Sequence, residues 1–447
     1  MTGSVEFEAD AYDIVGVGFG PANLALSIAA EEAAEAGVPL RRVFLERKPA
    51  FGWHRGMLFE DATMQVSFLK DLATPRNPLS RFGFVPYLWA RGRLSAFINH
   101  KTLFPTRVEF HDYLEWAAAQ VAETTRYGIE AESVRPVVRD GEVVHLEVQA
   151  RRHPDGLAQT VRARNVVLAP GLRPVLPDGV TESDRIWHSS GLLTRVADFD
   201  PGEPYRFAVL GAGQSAAEVV AYLHGHFAKA EVHAVLGRYG YSPSDDSPFA
   251  NRVFDPAAVD EYFGAPEPVK RRFFDYHANT NYSVVDMDLL NDLYGRLYRE
   301  EVTGHRRLRV HHMSALGPPE CSASGVTAEL VFLPDGRRSP LRVDYIVYAT
   351  GYAPTDPLDI LGPAGDMCER DDRGRLLVGR DYRVVTRSDV RCGIYLQGGT
   401  EHTHGISSSL LSNVAVRAGD ILASVQLAAA RPAPDLAAAG LTGLETR

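Results

Sequence analysis

Cysteine is scarce in this chain: Cys321, Cys368 and Cys392 are the only three in 447 residues. They are odd in number and far apart, which excludes a disulfide framework and a zinc-ligand spacing, so a reducing cytoplasm is the expected setting. No uninterrupted apolar run approaches the ~20 residues that a membrane helix needs. The first residues, "MTGSVEFEADAYD", are acidic and lack an apolar core, so no secretory leader is expected. Positive charge is also short. A formal net charge of −10 argues against nucleic acid or an anionic membrane as the main partner. No regular short period is present, which excludes a solenoid.

What the chain does have is glycine at the ends of apolar runs. "YDIVGVG" reads as a short buried strand, "PANLALSIAAEEAAEAG" as a helix capped at Gly37, and "RRVFLE" as a second strand ending on Glu46. Gly16, Gly18 and Gly20 supply the tight turn and close backbone approach that a dinucleotide pyrophosphate needs at a helix N-terminus. Pro21 follows, where a missing N–H costs little. Glu46 is placed to bond a pair of ribose hydroxyls.

A second unit, "YRFAVLGAGQSAAEVVAYLHGH" then "AEVHAVLGR", carries Gly211, Gly213 and Ala216 and ends on Arg238 rather than an acid. An arginine there suits a 2′-phosphate, so NADPH is favoured over NADH. One such turn alone can be an ordinary strand–helix corner. Two, with opposite endings, indicate one site for FAD and one for NADPH.

The expected fold is therefore α/β, with two Rossmann-like dinucleotide-binding domains and a smaller, mostly helical substrate-binding region. The FAD-binding domain is expected over 1–200 and 341–427, and the NADPH-binding domain over 201–240 and 302–340. The helical insertion spans 241–301 and a loosely packed tail 428–447. "VRARNVVLAPGLRPVLP" and "VDYIVYATGYAPTDP" repeat one theme, a strand running into a turn. "MQVSFL", just before Lys70, reads as strand-like.

Without a redox cysteine pair near the first unit, a disulfide reductase is disfavoured. Three flavin classes stay open: an NADPH oxidase or dehydrogenase, a non-catalytic redox sensor, and an oxygenase. In the last, reduced flavin traps dioxygen as a hydroperoxide and the cofactor does the hard step, so no catalytic side chain is assigned. His402 and His404 in "EHTHG" have no further ligands at helical spacing, so no metal is expected. Asp245 and Asp246 read as solvated turn residues.

Nine ordered blocks carry a resemblance: "GVGFGPANLAL", "FGWHRGM", "MQVSFLKDLATPRNPLSRFGF", "GRLSAFINHKTLFPTRVEFHDYLEWA", "GAGQSAAE", "SPSDDSPFAN", "NTNYSVVD", "ATGY" and "EHTHGISSSLLS". From about Tyr12 to about Ser424 the chain resembles the microbial N-hydroxylating flavin monooxygenases. More narrowly, it is similar to the L-ornithine N5-monooxygenases of siderophore biosynthesis. The resemblance implies FAD, NADPH, dioxygen and L-ornithine, giving N5-hydroxy-L-ornithine for hydroxamate iron chelators or related products. It also implies a homo-oligomer, commonly a tetramer. L-lysine, or a diamine such as putrescine or cadaverine, is the alternative substrate.

The same resemblance implies site residues. FAD would be held by Gly16, Gly18, Gly20, Pro21, Ala22, Asn23 and Glu46, lined by Trp53, His54 and Gln65, and approached by His404, Gly405 and Ile406. NADPH would meet Gly211, Gly213, Gln214, Ser215 and Arg238, with Asn281, Tyr282 and Ser283 near its nicotinamide end. Lys70, Asn251 and Asn281 match substrate contacts, with Ser407 a fainter match.

These residue types suit an amine hydroxylase. An alkylammonium of pKa ~10.4 is almost wholly charged at pH 7, and a neighbouring carboxylate would hold it so. A neutral amide such as Asn251 accepts an N–H without that penalty. Lys70 would hold the far α-carboxylate, and Asn281 the α-amino group. A diamine would leave Lys70 nothing to hold.

Overall fold

The computed structural model describes residues 5–6, 11–280 and 282–430. The expected strand, turn, helix and strand open it: Tyr12–Val17, Pro21–Glu35 and Arg42–Glu46. The last four residues of each strand are buried, because the sheet is covered on both faces, and the runs are unbroken rather than alternating. The helix begins where Pro21 needs no N–H, and Gly37 follows its end at a φ of +89°.

The first sheet has eight strands. Its main path runs Thr125–Tyr127, Arg42–Glu46, Tyr12–Val17, Ala158–Leu168, Glu142–Arg152 and Ile129–Arg139. Ala158–Leu168 changes partners along its length. Its first half pairs antiparallel with Glu142–Arg152, Leu146 standing opposite Ala163. Its second half lies parallel between Tyr12–Val17 and Gly393–Leu396, so that Asn165 faces Ile14 on one side and Gly393 on the other.

The second sheet is wholly parallel, in the order Leu308–His311, Glu231–Val235, Arg206–Leu210, Tyr345–Tyr348, Ile186–His188. Ile186–His188 and Tyr345–Tyr348 fall within the ranges that the sequence gives to the first domain, yet they hydrogen-bond into the second sheet. A glycine turn marks one strand–helix unit, not the strands that flank it. Likewise the helix Met287–Thr303 turns Leu289, Leu290, Leu293 and Leu297 into the core of the second unit, although it lies mostly in the expected insertion.

The two similar strand-and-turn segments meet each other. Leu172–Pro174 pairs antiparallel with Tyr352–Pro354, at the two places where the chain passes between the sheets. The first unit also penetrates the second: Met57, Phe59 and Ala62 join the second core, and Phe59 stacks on Tyr222 at 4.8 Å.

"MQVSFL" is not a strand. Met64–Lys70 is a series of turns tied to the 103–105 segment, with Met64 N–H donating to Pro105 O and Phe68 N–H to Leu103 O, each at 2.9 Å. Its alternation is real, since Met64, Val66 and Phe68 all pack against one core. Among the described residues no neighbouring strand completes a ladder with it.

Candidate active site

The first glycine turn is built for close approach. At Gly18 φ is +81°, and a Cβ there would stand 2.4 Å from Ala169 O. A Cβ on Gly16 would strike the Phe44 ring at 2.1 Å. Gly20 differs: a Cβ there would meet nothing within 4 Å, so the space before the helix is open. Asn23 is fully buried and faces inward. Its Nδ2 donates to Gly18 O at 2.7 Å, and its Oδ1 accepts from Gln397 Nε2 at 3.1 Å. Glu46 is buried at the end of its strand and accepts from Phe19 N–H at 2.7 Å and Lys48 N–H at 3.0 Å.

Trp53 and His54 follow shortly after in the chain, their rings edge-to-face at 4.7 Å. His54 meets solvent, but the surrounding protein, and then the charges of Arg107, Lys48 and His111, hold its imidazole down at about 4. It is neutral near pH 7.

The second turn gathers its expected residues. Gly211 has a φ of +142°, and a Cβ there would stand 2.3 Å from Ala349 O. Gly213 precedes the helix Gln214–His226, and a Cβ on it would come within 3.3 Å of Ser283 Cα. Arg238 is exposed and donates to Ser283 O at 3.1 Å. The Tyr282 hydroxyl donates to Glu401, whose carboxyl is raised by burial. Asn281 lies outside the described residues.

A polar chain links the two turns. Gln65 Nε2 donates to Asp286 Oδ1 at 3.1 Å, and Gln214 Nε2 to Asp286 Oδ2 at 3.2 Å. Gln214 also donates to Glu218 at 2.9 Å. Glu218, buried, takes both Nη groups of Arg107 at 2.8 and 2.7 Å. Arg107 Nη1 also reaches Met57 O at 3.1 Å.

Lys70 is half-buried, with its ammonium 6.0 Å from the Phe254 ring centroid. Among the described residues no carboxylate pairs with it. Asn251 stands on the same short helical segment as Phe254, and its Nδ2 donates to Asp246 O at 2.8 Å. Ser407 is buried in the turn Ile406–Ser409.

On the C-terminal side His404 is 1% exposed and stacks on Tyr382 at 4.0 Å. Its Nε2 donates to Arg380 O at 3.2 Å, which leaves Nδ1 to accept from the Thr403 hydroxyl at 2.8 Å. Burial, then neighbouring Arg380, Arg417 and His402, lowers its imidazole to about 4. His402 is engaged separately, with Nε2 on Leu376 O at 3.0 Å.

Residues 10–354 match the family model described as L-lysine 6-monooxygenase/L-ornithine 5-monooxygenase. The chain belongs to this family. An L-ornithine N(5)-oxygenase of Arthrobotrys oligospora is 39% identical, the match covering 93% of this chain and 88% of that one. The solved ornithine N-hydroxylase of Kutzneria sp. 744, with reduced FAD, NADP+ and L-ornithine, superposes with a TM-score of 0.90. It is 48% identical, over 94% of this chain and 99% of that chain. An L-lysine 6-monooxygenase from Pseudomonas syringae gives a TM-score of 0.82 at 34% identity, over 93% of this chain and 99% of that one.

This monooxygenase family uses FAD and NADPH, and the residues present fit them. The open space at Gly20 and the free first-turn N–H groups suit a pyrophosphate. Further along, Thr400 Oγ1, Ser408 Oγ, Ser412 Oγ and both amide atoms of Asn413 are buried without partners among the described residues. Such atoms cost ~1–3 kcal/mol each when left unpaired. A set of them on one segment fits a polar ligand laid alongside.

Sequence reasoning finds the two turns but passes over Arg107, Glu218, Asp286 and Phe254. One signal was available. Glu218 is a lone charge in the apolar run "AAEVVAY", one turn after Gln214, which marks a buried acid needing a partner.

Proposed function

We propose that this enzyme hydroxylates the side-chain amine of L-ornithine, with NADPH and dioxygen, to give N5-hydroxy-L-ornithine. The observation that carries this reading is Lys70: a half-buried ammonium braced on an aromatic ring, with no carboxylate partner among the described residues. Such a group suits the α-carboxylate of an amino acid. Bound FAD, once reduced by NADPH, supplies the oxygen-activating chemistry. The chain's own residues bind and orient. Asn251 offers a neutral amide toward the amine, which spares it the cation-stabilising effect of an acid. Asn281 takes the α-amino group, and Ser407 is a further substrate contact. Gly16, Gly18, Gly20, Pro21, Ala22, Glu46, Trp53, His54, Gln65, His404, Gly405 and Ile406 border the flavin. Asn23 serves from behind, by holding the turn in shape. Gly211, Gly213, Gln214, Ser215, Arg238, Tyr282 and Ser283 border NADPH.

The 39%-identical curated relative and the 48%-identical solved enzyme are both named for ornithine, which supports the shorter substrate. We extend the reading to a cytoplasmic homotetramer that supplies a hydroxamate iron chelator or a related product. The experiment is a hydroxylamine assay on the FAD-loaded protein with NADPH, comparing ornithine, lysine, putrescine and cadaverine. Ornithine is expected to give the product. NADPH consumption with ornithine but no hydroxylated product overturns the reading.

A further inference from the structure

We propose that Asp286 is a positioning residue that sets the NADPH turn in register with the flavin-side wall, by holding Gln214 of one unit and Gln65 of the other. The inference rests on the FAD and NADPH reading above. Asp286 occupies the N-cap position of the helix Met287–Thr303, where an aspartate usually accepts from a first-turn N–H. It makes no such cap bond. Its two oxygens face outward instead, Oδ1 to Gln65 at 3.1 Å and Oδ2 to Gln214 at 3.2 Å. Its own N–H donates to Gln214 Oε1 at 2.9 Å, which closes a ring with that side chain. Forgoing a cap costs helix stability. Here the carboxylate joins two units instead.

The geometry makes the contact specific. Gln214 is the first residue after Gly213, so its side chain moves with the nucleotide turn. Gln65 lies on the turn-rich segment that also carries Lys70. The polar chain leaves the first unit at Gln65, passes through Asp286, Gln214 and Glu218, and returns to it through Arg107 and Met57. Both ends are thus fixed in one segment of the first unit, and Asp286 is the only member bound to both glutamines. Burial raises its carboxyl, chiefly by desolvation, with the Gln65 bond acting in the opposite direction.

The test uses the FAD-loaded full chain and three variants. Asp286→Ala removes both acceptors. Asp286→Asn keeps the shape but turns one acceptor into a donor facing a glutamine donor. Gln65→Ala removes one partner. Anaerobic flavin reduction at saturating NADPH is expected to slow ~10-fold or more in each, because misplacement of reacting groups costs rate steeply. The NADP+ dissociation constant, read by calorimetry, is expected to change less than about 3-fold, and reduction of the same flavin by dithionite to be unchanged. The double variant Gln65→Ala/Asp286→Ala is expected to be no slower than the worse single one, the mark of two groups acting as a unit. Hydrogen exchange should rise both near Gln65 and at the start of the Gln214 helix. Should Asp286→Ala not fold, the isosteric Asp286→Asn decides. Reduction within about 2-fold of the parent, additive effects, or an equal loss of the dithionite rate overturns the proposal. If the parent flavin is itself not reduced by NADPH, the functional reading fails first and takes this inference with it.

Discussion

Arg107 and Glu218 face each other across the junction of the two nucleotide units, 111 residues apart in sequence and joined by two parallel hydrogen bonds. Both side chains are largely buried, Arg107 14% and Glu218 6% exposed. The fork geometry satisfies both carboxylate oxygens, which is how an arginine pair withstands loss of water. Removing one partner strands the other. Glu218→Ala is expected to lower unfolding free energy by ~3–5 kcal/mol in urea titration. Glu218→Gln, which keeps one acceptor, should lose less.

Gly18 and Gly20 should respond differently to the same added methyl. Gly18→Ala meets Ala169 O and a left-handed φ, so it should destabilise the apoprotein by at least ~1–3 kcal/mol. Gly20→Ala meets no described residue within 4 Å beyond its chain neighbours, so apoprotein melting should fall far less than in Gly18→Ala. Its methyl enters the open space before the helix, so FAD affinity should fall. Equal FAD affinity in Gly20→Ala and the parent would place the pyrophosphate elsewhere.

Lys70→Ala removes the proposed anchor without touching either glycine turn. KM for ornithine should rise ~10- to 100-fold, in line with a lost charge-assisted bond of roughly 1.5–3 kcal/mol. FAD content should not change. Phe254→Leu should produce a smaller rise in the same direction, since the ring braces the ammonium. An unchanged KM in Lys70→Ala removes the carboxylate-anchor role.

His404 predicts an acid limit. Its pKa is lowered in the folded chain to about 4, from an ordinary 6.5. Between these values the unfolded chain binds a proton that the folded chain does not, so stability falls as pH drops through this range. Above 6.5 the contribution is fully present. His54 and His311 are lowered to about 4 as well, so the check is a difference between proteins. The stability of the parent should fall more steeply from pH 6.5 to 4 than that of His404→Gln, by up to roughly 3 kcal/mol. Parallel curves would assign the acid limit to other groups.

The parts legible in sequence were those written in consecutive residues. The two glycine turns, the helix stop at Gly37 and the strand ending on Glu46 each need only local rules, and each is present. What escaped was assembled from distant residues. Gln65 and Asp286 are 221 positions apart, and nothing local in either announces the other. "MQVSFL" shows the opposite failure. Its period of two is true to its burial, but a strand needs a neighbour, and the chain brings turns there instead. The flanking strands Ile186–His188 and Tyr345–Tyr348 were mis-shared between units for the same reason, since sheet membership is decided by pairing.

The insertion of Met57, Phe59 and Ala62 into the second core bears on protein engineering. Grafting a relative's NADPH module onto this chain at the paired crossings Leu172–Pro174 and Tyr352–Pro354 would leave those three side chains facing a foreign core. A chimera cut there inherits a mismatched plug. One that carries the 55–62 loop along with the module, as a third transplanted piece, keeps the native fit.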